Sequence, residues 1–218
     1  MTKKRTDTLN FYIIKLDHED SLSLTYRFSP GKVAPSPWPD NVWLPSRDMQ
    51  FTVDHRFTEE TKTELQKLWL LINPEHCEFA DVIGQFGKFL DYPPAVNEHM
   101  RRALEKFDGE CFDFAETGPI YDSRHDRKIS SDRYWFVSVR RWIDGWDKEN
   151  SGLQIRTRRD GTSYGTIYPP YTLNLRAING AHLWRDASSR DVLCSDVFKK
   201  MVETEGLTGL YFQKILDS

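Results

Sequence analysis

The chain has 218 residues and a formal net charge of −3, and 39% of its residues are hydrophobic and 29% charged. This balance is ordinary for a globular protein and too apolar for wholesale disorder. Because there is no basic excess to neutralise phosphates, the composition argues against direct nucleic-acid binding. No signal-peptide pattern is present, and no apolar run reaches the ~20 residues of a membrane span. We therefore expect a soluble, cytoplasmic protein without membrane contact.

Cysteine and histidine spacing predicts no metal site. The three cysteines lie far apart, without a CxxC motif, which is typical of isolated reduced thiols in a cytosolic protein. The six histidines include no pair spaced three or four residues apart, so no metal ligands are indicated. We also find no phosphate-binding glycine loop and expect no cofactor. The cysteines are Cys77, Cys111 and Cys194.

The first predicted elements are two strands, at 10–16 and 21–28, the second with alternating apolar and polar residues. A proline-rich loop at 29–45 and an extended segment at 49–57 follow. Thr58 is the predicted N-cap of a helix that ends at Asn73-Pro74. Its core face consists of residues at helical spacing: Leu65, Leu68, Trp69 and Ile72.

The second half is predicted to hold two capped helices, at 97–107 and 195–205, among short strands. Each helix begins with a capping residue and an acid, carries two adjacent basic residues, and exits through glycine into an apolar strand. One interpretation is a duplicated helix–strand unit; the alternative is that any capped amphipathic helix before a strand looks like this. Strands are expected at 79–83, 111–114, 134–142, 153–158, 164–175 with a Pro-Pro turn, 182–185, 193 and 210–215, and a charged loop at 123–133.

Together these elements favour one α+β domain over residues 1–218, with mostly antiparallel strands and few helices. No low-complexity tract or clean linker divides the chain.

Few residues suggest catalysis. Asp144 and Asp147 are the pair most similar to an acid–base site, but Gly145 between them predicts a turn with solvated carboxylates. Cys194 precedes a predicted helix start, where a thiol pKa can fall, although cysteines are more often simply buried. Basic runs at 124–128 and 156–159 favour a solvated loop and strand end over a nucleic-acid site. We expect no catalytic residues, with a small enzyme as the alternative.

Protein binding is better supported by the residues. Aromatics make up 13% of the chain, and Trp, Tyr and Arg are dense around 134–146 and at 184–185. These residue types dominate binding hot spots. The candidate partner-binding residues are Asp144, Trp146, Asp147, Glu149, Trp184 and Arg185.

An ordered series of motifs covers about two thirds of the chain, from Phe79 to Ile215. The most specific piece is the closing one, a Ser-Asp helix start followed by a Leu-Thr-Gly-Leu-x-Phe strand. The full series is Asn97-Glu98, Leu104-Glu105, Cys111 to Phe114, Tyr134 to Val139 with Asp144, Asp147 and Ser151 beyond it, His182 to Arg185, Cys194-Ser195-Asp196 and Gly206 to Phe212.

This series resembles the MXAN-type immunity proteins of bacterial polymorphic toxin systems, the eleventh immunity family. The sequence departs from the pattern at Asn97, where Ser is expected, and in an insert at 123–133. The first 78 residues match little, so we expect partner specificity there and a family-like core at 79–215.

The resemblance implies an immunity protein that binds and neutralises a cognate secreted toxin in the cytoplasm of the producing cell, without catalysis. Against a nuclease toxin, the acids at 144, 147 and 149 would mimic phosphates. A structural or regulatory binding module without a toxin is a further alternative, and self-association stays open.

Overall fold

A computed structural model describes residues 9–16, 26–29, 49–72, 80–84, 93–129, 134–157, 161 and 163–215. The predicted proline-rich loop, apart from Ser29, lies outside these residues, as does Cys77. Numbered in chain order, the strands are β1 (Phe11–Leu16), β2 (Tyr26–Ser29), β3 (Trp69–Ile72), β4 (Val82–Ile83), β5 (Ala95–Asn97), β6 (Phe112–Glu116), β7 (Ile120–Asp122), β8 (Arg127–Ile129), β9 (Tyr134–Val139), β10 (Trp142–Ile143), β11 (Gly152–Thr157), β12 (Ser163–Tyr168), β13 (Leu183–Asp186), β14 (Val192–Ser195) and β15 (Leu210–Lys214). The helices are α1 (Glu59–Lys67), α2 (Glu98–Asp108), α3 (Leu175–Ile178) and α4 (Asp196–Thr204), and a 3₁₀ turn covers Gly109–Cys111.

The described strands form mostly antiparallel sheets, which confirms the predicted α+β class. One four-stranded sheet has the order β4-β5-β9-β6, and a five-stranded sheet has the order β10-β13-β14-β1-β15. A second four-stranded sheet, β2-β3-β7-β8, and the hairpin β11-β12 complete the set. Parallel pairing occurs between β10 and β13 and between β3 and β7.

Two helix–strand units share one topology, as the duplication hypothesis predicts. In the first, β5 leads into α2 and then β6, and β9 lies between β5 and β6, antiparallel to both. In the second, β14 leads into α4 and then β15, and β1 takes the place of β9. An outer antiparallel strand, β4 or β13, flanks each unit. The strand from the start of the chain therefore completes the second unit.

The N-caps of the two helices are held in the same way. The side chain of Asn97 caps α2, and that of Ser195 caps α4, as the sequence predicts. Each cap residue donates its backbone N–H to a residue just before the outer strand, Asn97 to Asp81 at 2.9 Å and Ser195 to His182 at 3.0 Å. Each also bonds that residue's side chain, Asn97 Nδ2 to Asp81 at 2.7 Å and Ser195 Oγ to His182 Nδ1 at 3.0 Å.

The Leu-Thr-Gly-Leu motif ties one unit to the other. Thr208 donates its backbone N–H and its hydroxyl to the Asp81 carboxylate at 2.8 and 2.9 Å. Gly209 has φ of +90°, and a Cβ there would lie 2.9 Å from the Cβ of Ala80. A side chain at this position would be strained and crowded, which explains the glycine.

Three groups of buried apolar residues surround the two unit sheets. One fills the space between both sheets and α2 and α4, and the other two cover the opposite faces of the sheets. In β9, Val137 and Val139 face the first group, whereas Tyr134 and Phe136 face the second. β9 is therefore covered on both faces, and Tyr134 and Phe136 are buried.

Three predicted elements differ from the structure. The helix after Thr58 ends at Lys67, and Trp69 to Ile72 form a strand between β2 and β7 instead of its last turn. The segment at 49–57 is not extended, because a bridge between Phe51 and Phe57 closes it into a loop. The charged loop at 123–133 contains β8, which pairs with β7.

Within the part of the chain that the structure describes, no helix has the length and apolar character needed to cross a membrane.

Candidate partner-binding site

The six candidate residues come together through pairing between β10 and β13. This parallel pair places Trp142 opposite Arg185 and Ile143 opposite Asp186. The chain then turns at Gly145, whose missing side chain leaves room for the Trp184 indole, since a Cβ would lie 2.7 Å from its Nε1. Residues 144–149 and 184–185, far apart in sequence, therefore form one region of the molecule.

A buried carboxylate holds this region. Asp186 is fully buried and accepts backbone N–H groups from Gly145 at 2.8 Å, Ser188 at 2.9 Å and Ser189 at 2.6 Å. Burial raises the pKa of Asp186, while these backbone hydrogen bonds favour its charged form. Its carboxylate fixes two turns against each other, one in each half of the site.

The aromatic and basic candidates lie in the core, not at a surface. Trp146 and Trp184 are 1% and 0% exposed, and the Trp146 indole donates to Ser189 Oγ at 3.0 Å. Arg185 is 5% exposed and donates to the Arg190 carbonyl oxygen at 2.9 Å, and burial lowers its pKa to about 10. In this conformation the three side chains support the site and cannot contact a partner directly.

The acidic candidates lie at the surface of the same region. Asp144 forms an ion pair with Lys148 and accepts a hydrogen bond from Ser188 Oγ at 2.8 Å. Asp147 accepts from the backbone N–H groups of Glu149 and Asn150, both at 3.1 Å. Hydrogen bonds from the Asn150 side chain and backbone lower the pKa of Asp147, so this carboxylate stays charged well below neutral pH. Glu149 is exposed.

The turn that carries these acids is rigidly held. Trp146 forms an isolated antiparallel bridge with Leu173, and the Asp147 N–H donates to the Thr172 carbonyl at 2.9 Å. The Gly145 carbonyl accepts from the Asn174 N–H at 2.8 Å. A rigid, charged turn can meet a partner without the entropy loss of ordering a flexible loop.

The candidate catalytic groups are buried or engaged in structural contacts. Asp144 and Asp147 are each engaged in turn or ion-pair contacts, and the carboxyl with a raised pKa in this region is the buried Asp186. Cys194 is fully buried, and burial raises its thiol pKa well above the ordinary value, which disfavours the nucleophilic thiolate. Among the described residues, no group of three or more His, Cys, Asp or Glu is placed to hold a metal ion.

The basic run at 124–128 covers the turn between β7 and β8 and the first two residues of β8. The buried Asp122 organises it by accepting from the backbone N–H groups of Arg124 and His125 at 3.1 Å and from the His125 ring at 2.7 Å. Arg156 lies on the exposed strand β11, and residues 158 and 159 of the second run lie outside the described residues.

Sequence reasoning missed the residues that build the site, namely Asp186, Ser188 and Ser189. The available signal was an Asp followed by two Ser in the segment Asp186-Ala187-Ser188-Ser189, a composition typical of a side-chain-capped turn. Sequence alone does not show that the same carboxylate also caps Gly145, 41 positions away.

A protein-family comparison supplies the assignment. The model of the Immunity protein family (Imm11) matches residues 71–217. The chain belongs to the Imm11 family. The match covers the whole first helix–strand unit and all of the second unit except β1, the strand that corresponds to β9 of the first. It also includes the whole candidate site. This confirms the resemblance drawn from the motifs between 79 and 215. Comparison with curated proteins gives no match.

Proposed function

We propose that this immunity protein binds a cognate secreted toxin in the cytoplasm of the producing cell and blocks its activity by direct contact, without catalysis. The observation that carries the proposal is the Imm11 match over residues 71–217. The buried thiols and the engaged Asp144 and Asp147 carboxylates favour binding over chemistry. A specific interface of this kind would bury roughly 1,200–2,000 Å² in total.

The exposed acids of the site are the proposed electrostatic contact. Asp144, Asp147 and Glu149 lie within six positions on one rigid turn, where Lys148 is the nearby cation. Against the basic cleft of a nuclease toxin, such a turn would take the place of nucleic-acid phosphates and speed association at low salt.

The function is tested with the C-terminal domain of the polypeptide encoded immediately upstream. Isothermal titration should show tight one-to-one binding, and co-expression should rescue cells that make the toxin domain. Binding without rescue would contradict neutralisation, and neither binding nor rescue would contradict the whole proposal. Light scattering of the free protein and the mixture separates one-to-one binding from self-association.

The acidic contact is tested separately by Asp144→Lys, Asp147→Asn and Glu149→Lys in one protein. Asparagine at 147 keeps an acceptor for the turn while removing the charge. The control combines two lysines and one glutamine at exposed acids elsewhere, Glu60→Lys, Glu110→Lys and Glu116→Gln, with the same net-charge change. We expect the first variant to associate more slowly and with less salt dependence than the control; equal rates would remove the phosphate-mimic hypothesis.

A further inference from the structure

The loop 51–57 carries a fully exposed apolar side chain on a closed, ordered turn. The bridge between Phe51 and Phe57 closes it, and their rings lie 5.1 Å apart. Inside the loop, Thr52 donates its N–H to the Arg56 carbonyl at 2.8 Å, and His55 donates its N–H to the Thr52 carbonyl at 2.9 Å. Val53 stands at the tip with 100% of its side chain exposed. No other described large hydrophobic residue exceeds 63% exposure.

The loop is fixed to the family core, although it precedes the Imm11 match. Ser138 Oγ of β9 donates to the His55 carbonyl at 3.0 Å. The His55 ring stacks on Trp142 of β10, with centroids 4.2 Å apart and planes 13° apart. At the loop's end, the Phe57 N–H donates to Asp113 of β6 at 2.9 Å. These contacts hold the tip in one position relative to the two helix–strand units.

The backbone of the loop is strained at the anchored residue. His55 has φ of +60°, in the left-handed region that non-glycine residues rarely adopt. Such a conformation persists only where the surroundings impose it, and here the Trp142 stack and the Ser138 hydrogen bond do so. Strained residues of this kind cluster at functional sites, where they preorganise a contact.

The charges of the loop are paired within the protein. Asp54 accepts from Thr52 Oγ1, from Arg56 Nε at 2.8 Å and from Arg140 at 2.9 Å. The Thr52 hydrogen bond, with those from Arg140 and Arg56, lowers the pKa of Asp54 to about 2. Since these charged groups are engaged with one another, Val53 is the fully exposed apolar group that the tip offers to a partner.

We propose that loop 51–57 is a specificity element for the toxin, and that Val53 enters a small apolar pocket on the toxin domain. This inference rests on the proposed function. The recognition residue, Val53, lies before the Imm11 match, which begins at residue 71. The residues that anchor the loop, Ser138, Trp142 and Asp113, lie within the match. A preordered tip loses little entropy on binding, so its one apolar anchor can contribute directly to affinity.

The test is titration of the same toxin domain with Val53→Asp and, as a matched control, Val197→Asp on the exposed face of α4. Both substitutions add one charge at an exposed valine, and an acid is favourable in the first turn of α4. We expect Val53→Asp to weaken binding about tenfold or more, because it would place an unpaired charge in an apolar pocket, and Val197→Asp to change it less than about twofold.

Each outcome decides a separate point. Wild-type binding with an unchanged Val53→Asp affinity would overturn the inference while leaving the proposed function standing. A third variant, Ile155→Asp, tests the exposed hairpin β11-β12. If this variant loses affinity while Val53→Asp does not, the toxin contact lies on the hairpin and the inference is overturned. Failure of the wild type to bind any tested toxin domain would overturn the proposed function and this inference with it.

The positioning role of His55 is tested by His55→Gly. Glycine keeps the positive φ but removes the ring that stacks on Trp142, so the tip loses its order without new strain. We expect weaker toxin binding in the wild-type background and no further loss in the Val53→Asp background, because His55 acts through Val53. Additive losses in the double variant would contradict this role.

Discussion

Replacing Gly145 by alanine should destabilise the protein, because this glycine makes room for a buried tryptophan. An ideal Cβ at Gly145 would lie 2.7 Å from Trp184 Nε1 and 3.3 Å from Cε2, and the first of these distances is shorter than real Cβ contacts. Trp184 is 0% exposed and cannot swing into solvent. The Gly145 backbone is held on both sides, by Asp186 and by the Asn174 N–H, so it cannot retreat either.

The size of the effect follows from this crowding. Overpacking a well-filled core costs about 1–3 kcal/mol. In a chain of this length each kcal/mol lowers the melting temperature by roughly 2–4 °C. Thermal and urea unfolding followed by circular dichroism would measure both quantities.

Gly109→Ala is the matched control. A Cβ at Gly109 meets no atom within 4 Å, and its φ of −58° and ψ of −24° suit alanine. We expect this variant to be unchanged or more stable by about 0.4–1 kcal/mol. If Gly145→Ala were as stable as Gly109→Ala, the packing of the turn on Trp184 would not be as described, and neither would the support that it gives to the acidic surface.

Three further predictions concern the rest of the fold. Although burial raises the pKa of Asp122, hydrogen bonds from its turn lower it overall. The charged Asp122 therefore stabilises the fold above pH ~4, and this stabilisation is lost as the pH falls through the folded pKa. The difference in unfolding free energy between wild type and Asp122→Asn should shrink in acid. A difference that stays constant with pH would contradict this. Cys111 and Cys194 are buried, and burial raises the pKa of Cys111 to about 11. In a Cys77→Ser background both thiols should therefore resist alkylation at pH 8 and react after unfolding. Rapid alkylation of the native protein would refute their burial. A fragment of residues 17–218 should lack cooperative unfolding because it lacks β1, whereas adding a peptide of that strand should restore it; a cooperative fragment would show that β1 is dispensable.

Local signals in the sequence predicted the starts of α1, α2 and α4 correctly, whereas the short helix α3 was not predicted. Thr58, Asn97 and Ser195 each accept a backbone N–H of their own helix, an interaction that depends on a few neighbouring residues. The end of α1 was not predictable in this way. Trp69 and Ile72 continue the helical spacing, yet pairing with β2 and β7 draws them into a strand. Tertiary pairing there outweighs the local pattern.

The six candidate residues lie in one region of the structure, and Trp146, Trp184 and Arg185 among them are buried. The density of Trp and Arg pointed to residues that lie together, but the sequence does not show which face of a segment is covered. Trp146 and Trp184 are covered by a group of apolar side chains that includes Ile167 and Ile178, contributed by β12 and α3. Residue types common in hot spots are equally common in cores of aromatic-rich proteins, and only long-range packing separates the two.

The topology assigns different tasks to the two parts of the chain. The start of the chain is not an appendage, because β1 lies between β14 and β15 and buries Ile13 and Ile14 on opposite faces of the sheet. The loop 51–57 is likewise fastened to β9 and β10. A segment that is woven into the core in this way can differ in its exposed tip while its position stays fixed. Val53 meets this description, since its side chain makes no contribution to the core and the backbone of His55, two residues on, is held by Ser138 inside the Imm11 match. Specificity at such a tip can change without loss of the fold that presents it.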